Sequence, residues 1–142
     1  MTSLTREKIF TKIENFSQYL DYLYQLRKET KTKKDFVSDF HLFGNTERYL
    51  HLTVQIIIDI CHLTIIDLGI ERPADNYEAI SILFNEKIFS ENLADSLTKM
   101  VGLRNILVHE YGKIDREKVY EILTEELKDL EEFKKQIVQF LK

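Results

Sequence analysis

The sequence predicts an all-α protein, an antiparallel bundle of four to five helices, and three observations carry that expectation. Turn formers are scarce: the 142 residues include four Gly and one Pro, too few for the tight turns that join strands into sheets. Apolar residues recur at steps of three and four over long stretches, the period of a helix buried along one face. The breaks between those stretches are short, as expected where one helix folds back on the last. A chain of this length makes a single domain, residues 1–142, able to bury roughly two-thirds of its unfolded surface.

The elements follow in order. A first helix is expected from Thr5 to Lys28, with Ile9, Ile13, Phe16, Leu20 and Leu23 on one face. A basic connector ends at Lys34. A second helical region then runs from about Asp35 to Leu68, with a break expected near Gly44. Its centre, Ile56-Ile57-Ile58-Asp59-Ile60, is apolar on nearly every side, which suits a helix in the core or at a subunit interface. Gly69 is placed to close this helix in the left-handed conformation, and Pro73 bars immediate continuation. Asn76 is expected to cap a third helix from Tyr77 to about Lys87, with Ile80, Leu83 and Phe84 inward. Ser90 is expected to cap a fourth, whose buried stripe is Leu93, Leu97, Met100, Leu103, Leu107 and Val108, and Gly112 to end it. Asp115 then caps a last long helix to about Leu141, with Val119, Ile122, Leu123, Leu127, Leu130, Ile137 and Leu141 inward and a solvated Glu/Lys face outward.

Composition narrows the setting. Cys61 is the sole cysteine and sits in an apolar run, so a disulfide framework is excluded and the residue reads as a small core group. The N-terminal residues are polar, and the apolar segment Val54–Ile66 is too short to span a bilayer and carries Gln55, Asp59 and His62. A cytoplasmic protein without membrane association is expected. A net charge of −4 does not advertise nucleic-acid binding, although a compact basic site can work within an acidic protein. The connector Arg27–Lys34 carries five basic residues and one acid; it reads as a solvated loop, or as a guide for RNA or an acidic partner. His41 and His51 lack metal-ligand spacing to each other or to Cys61 and read as structural or exposed. Asp59 and His62, three apart in the apolar helix, read as a satisfied buried pair; alternatively Asp59 steadies a catalytic group near a cleft.

The segment richest in chemistry is Arg104-Asn105-Ile106-Leu107-Val108-His109-Glu110-Tyr111, in the pattern R-x4-H-x-Y just before Gly112. Histidine titrates near neutral pH and can take or give a proton. Arginine offers a forked, permanently charged donor set for a phosphodiester and for charge that builds on it in a transition state. The pair suits RNA cleavage without a metal or other cofactor, in which the 2′-hydroxyl attacks the adjacent phosphorus. Asn105 and His109 share a helix face, so Asn105 is placed to orient the imidazole or bond a phosphate oxygen. Positions five apart on a regular helix differ by about 140° in direction. A joint Arg104–His109 site therefore needs either a loosened helix near His109 or a second copy of the chain. The plainer alternative is a surface Arg and a helix-end His, with Glu110 available as a partner.

The Arg-Asn-x3-His-x-Tyr octad, with its position near the end of the fourth helix and a long amphipathic helix after it, resembles the HepT-like toxin ribonucleases of the HEPN superfamily. The segment Thr46–His62 is similar to their second long helix, and the likeness covers nearly the whole chain. The resemblance implies a HepT/MntA toxin–antitoxin system, of type VII: an endoribonuclease acting on RNA rather than DNA, working as a homodimer with two motifs facing across a cleft. It implies that Arg104 and His109 are the catalytic pair, with Asn105 in support. Tyr111 would accept AMP from a cognate MntA-like nucleotidyltransferase antitoxin. The rival expectation is a non-catalytic helical partner of such a minimal nucleotidyltransferase.

Overall fold

The computed structural model describes residues 1–109 and 115–142, with the backbone alone at 105–109. Seven helices and no strand occur among the described residues. Helix α1 (Ser3–Glu29) opens at Thr2, whose Oγ1 accepts the Thr5 N–H at 3.2 Å. Its buried row is the predicted one, Ile9, Ile13, Phe16, Leu20 and Leu23, extended by Leu26. Part of the basic connector is itself helical: α2 (Lys33–Ser38) begins at Thr32, and Lys33 lies 3.3 Å from Glu117 in an exposed ion pair.

The expected break at Gly44 is absent and falls at Asp39 instead. The Asp39 N–H closes α2 on the Asp35 carbonyl, and its carboxylate accepts the His41 N–H at 2.9 Å to open α3 (Phe40–Asp67). A helical glycine costs only about 1 kcal/mol, which one of the longest helices here absorbs, whereas a capping carboxylate actively starts a new helix. The other end of α3 is as expected. Gly69 has φ +71°, the Ile70 N–H bonds the Ile65 carbonyl and the Gly69 N–H bonds that of Ile66, the Schellman pattern.

Asp75, not Asn76, caps α4 (Asn76–Asn85), accepting the Glu78 N–H at 2.8 Å; Glu78 reaches back to the Ala74 N–H. Asn76 is the first helical residue, and its side chain is committed elsewhere. Phe84, expected inward, is 40% exposed, because the buried face of α4 is Ala79, Ile80 and Leu83 and the next position turns away by about 100°. Ser90 caps α5 (Glu91–His109) as expected, accepting the Leu93 N–H at 3.2 Å. The predicted end at Gly112 lies outside the described residues, as do the side chains of Leu107 and Val108.

Asp115 also caps as expected, accepting from Glu117 and Lys118. The single last helix does not hold: α6 (Arg116–Glu125) and α7 (Leu127–Leu141) are separated at Glu126. The break lets the chain change neighbours. α6 packs chiefly on α2 and α3 with a lesser contact to α1, and α7 packs on α1 and α5. Gln136 of α7 clasps the start of α5, accepting the Ser90 N–H at 2.8 Å and donating to Ser90 Oγ at 3.0 Å.

α3 is the hub, touching α1, α2, α4, α5 and α6. Its apolar length exceeds the segment Val54–Ile66, and by length and composition it is long enough to cross a membrane. Yet 56% of its most apolar window is buried inside the bundle, the pattern of a core helix. Three fully buried threonines on α3, Thr46, Thr53 and Thr64, donate their hydroxyls to carbonyls of their own helix at 2.7 to 2.9 Å, which satisfies them without outside partners. Cys61 is buried as expected, and burial pushes its thiol up to about 12, so it holds no thiolate at neutral pH.

Candidate active site

The core helix carries one polar stripe. Arg48, His51, Gln55, Asp59 and His62 follow at steps of three and four, and so share a face of α3. Arg104 of α5 meets this stripe. Its Nη2 donates to Gln55 Oε1 at 2.8 Å; Gln55 Nε2 donates to Asp59 Oδ1 at 2.9 Å; Asp59 Oδ2 lies 3.5 Å from Lys12 Nζ on α1. Four side chains from three helices thus form one continuous polar line running from the surface toward α5.

The electrostatics of the line are uneven. Lys12 and Asp59 balance each other. Arg104 is held by a neutral amide, and among the described residues no carboxylate forms an ion pair with it. Its Nε is buried and has no hydrogen-bond partner among the described residues. His51, one turn before Gln55, is half-buried; burial first, then the Arg104 and Arg48 cations, hold its imidazole below the usual histidine range. The ring is therefore neutral at physiological pH, which leaves Arg104 and Arg48 to supply the positive charge of this face.

The expected Asp59–His62 pair is not formed. His62 Nε2 meets Asn76 Oδ1 at 2.9 Å, joining α3 to the start of α4. Asp59 is not deeply buried, with 38% of its side chain exposed, and turns to Gln55 and Lys12. Sharing a helix face brings two residues near each other but does not decide which has the better partner across the bundle. Asp59 is instead connected to Arg104 through Gln55. His51, expected to be structural or exposed, lies half-buried on the face that Arg104 approaches; His41 is exposed, its ring 4.2 Å from that of Phe40. Asn105 and His109 lie on α5 by their backbone, and their side chains, like Tyr111 and Glu110, are outside the described residues. Gln55 is the residue whose role the sequence did not reveal, although its spacing of four from Asp59 was the available signal.

The family model for Ribonuclease HepT-like proteins matches residues 9–137. Among curated relatives, the tRNA nuclease HepT of Aphanizomenon flos-aquae is 33% identical over 141 residues, covering 99% of this chain and 95% of the relative. The mRNA nuclease HepT of Shewanella oneidensis is 28% identical over 126 residues, 88% of this chain and 92% of that one. Among solved structures, the tri-AMPylated Shewanella oneidensis HEPN toxin in complex with MNT antitoxin superposes with a TM-score of 0.84 at 25% identity, over 98% of this chain and 99% of the other. With a near-complete family match and an all-helical fold shared end to end with a HEPN toxin, this chain belongs to the HepT-like ribonuclease family.

Proposed function

We propose that this chain is the toxin of a toxin–antitoxin pair, an endoribonuclease that cleaves RNA without a metal through Arg104 and His109 and is silenced by AMP modification of Tyr111. The observation that carries the reading is the state of Arg104: a guanidinium fixed in place by a neutral partner, with no counter-charge among the described residues. An arginine held that way is prepared for an anion that arrives from outside, and in a nuclease family that anion is a phosphodiester.

In the proposed reaction, His109 takes the proton of a ribose 2′-hydroxyl, the 2′-oxygen bonds to the adjacent phosphorus, and the bond from phosphorus to the 5′-oxygen breaks. The 5′-oxygen leaves as a hydroxyl after taking a proton, and a 2′,3′-cyclic phosphate remains. Arg104 stabilises charge on the non-bridging oxygens as it builds. α5 remains helical through His109. Positions five apart then point about 140° from each other, which supports a site completed by a second copy of the chain rather than by a loosened helix. Asn105 supports the imidazole.

The nuclease names of the relatives and the antitoxin complex of the Shewanella toxin support both halves of the reading. For inhibition, the Tyr111 hydroxyl displaces pyrophosphate from ATP on a nucleotidyltransferase partner and gains an adenylyl group. The added bulk and negative charge, carried seven positions after Arg104 in the same motif, would repel an RNA phosphate. The direct test is cleavage of RNA by the purified, unmodified protein in the presence of chelator, with the product ends identified. Cyclic-phosphate ends are the expected result. Cleavage that stops when chelator is added would remove the metal-independent mechanism. Absence of cleavage, with modification of Tyr111 excluded by mass spectrometry, would point to a non-catalytic partner of the nucleotidyltransferase. Tyr111→Phe is expected to fold and cleave but to gain no AMP from the antitoxin and ATP; an adenylyl mass on that variant would place the acceptor elsewhere.

A further inference from the structure

We infer that Gln55 is the positioning residue for Arg104, a neutral clamp that aims the guanidinium while leaving its charge free for RNA; this rests on the reading of Arg104 as a phosphate-binding group. The orientation of the Gln55 amide follows from the chemistry of its neighbours. A carboxylate only accepts hydrogen bonds and a guanidinium only donates them. With Asp59 Oδ1 at 2.9 Å on one side and Arg104 Nη2 at 2.8 Å on the other, Gln55 must turn its NH2 to Asp59 and its oxygen to Arg104. Flipping the amide would set donor against donor and acceptor against acceptor. Asp59 is itself fixed by Lys12 at 3.5 Å, so the clamp is anchored on α1 and α3 before it reaches α5.

The choice of an amide has a consequence for charge. A carboxylate at position 55 would hold Arg104 equally well but would form an ion pair with it, and a paired guanidinium attracts a phosphate poorly. With glutamine, the negative charge stays beyond the amide, at Asp59, where Lys12 offsets it. Among the described residues, the line Lys12–Asp59–Gln55–Arg104 therefore ends in one uncompensated positive charge, on the residue that the proposed reaction uses.

Two substitutions separate aiming from charge. Single-turnover cleavage at saturating RNA, and binding of a non-cleavable 2′-deoxy oligonucleotide across a salt series, are measured on the full chain. Gln55→Ala removes the aim and keeps the charge: the rate is expected to fall by roughly ten- to a hundredfold, with the salt dependence of binding unchanged. Gln55→Glu keeps a partner but pairs the charge: the log–log salt slope is expected to shrink by about 0.7, the share of one phosphate contact on a single strand. Gln55→Met serves as the second uncharged variant, and thermal melting by circular dichroism confirms that each variant is folded. A merely structural role would lower activity alike in all three and leave the salt slopes equal, and that outcome overturns the inference. So does wild-type cleavage by folded Gln55→Ala. Arg104→Ala is run beside them. If it cleaves like the wild type, the reading of Arg104 is lost; if it is inactive while the Gln55 variants are unimpaired, this inference alone falls.

Discussion

His109→Ala is expected to lower the rate of RNA cleavage at saturating substrate by about two to four orders of magnitude, the usual contribution of a positioned acid–base group. The loss should appear in the rate and much less in the affinity for a non-cleavable oligonucleotide, because a neutral imidazole adds little to phosphate binding. Arg104→Ala is expected to lose about two to three orders of magnitude and, unlike His109→Ala, to weaken RNA binding and reduce its salt dependence. The two variants thus differ in kind as well as in size. Circular dichroism should show unchanged helical content in both. Full activity in folded His109→Ala would rule out that residue as the proton carrier.

Phe133→Ala is expected to be the most damaging single change to stability among the aromatic core residues. The ring is fully buried, lies 5.5 Å from the Phe16 ring on α1 and 5.8 Å from that of Phe89, and so links α7 to both. Truncation removes the transfer energy of a large side chain, two tilted ring contacts and the packing around the void, about 3–5 kcal/mol in all. Whole domains are stable by only about 5–15 kcal/mol. A loss of that size in a domain of this length corresponds to a fall of roughly 10–17 °C in Tm. Thermal melting of the purified variant checks it, and a Tm within about two degrees of the wild type would mean that the site collapses around the missing ring.

Most of the fold was legible because most of it is periodicity. The buried rows of α1, α5 and the last two helices are spaced as a helix face requires, and Ser90, Asp115 and Gly69 carry capping chemistry that acts within three residues of itself. The misses share a cause: local signals competed and the context chose. The break expected near Gly44 fell at Asp39, and the cap expected at Asn76 fell to Asp75, because a carboxylate that accepts a backbone N–H outweighs a weak helix former or an equally good capper whose side chain is needed elsewhere. The break at Glu126 has no Gly or Pro to announce it and is fixed by which helices the two halves pack against. At the candidate site, the pattern R-x4-H drew notice to Arg104 as a local signal. Its partner Gln55 lies 49 residues away, and a link of that kind exists only once α3 and α5 are packed together.

The central place of α3 fixes its phase as well as its position. A helix that faces five others has almost no free side, and its polar stripe occupies the narrow sector left to it. Adding or removing a single residue between Arg48 and His62 would turn everything beyond that point by about 100°, driving Asp59 or Gln55 into the isoleucine layer and an isoleucine out toward Arg104. Substitution can be absorbed one side chain at a time, but a change of length cannot. Divergent members of this family should therefore vary freely in the connectors before and after α3 while keeping its length between those two positions fixed, as a gear keeps its number of teeth.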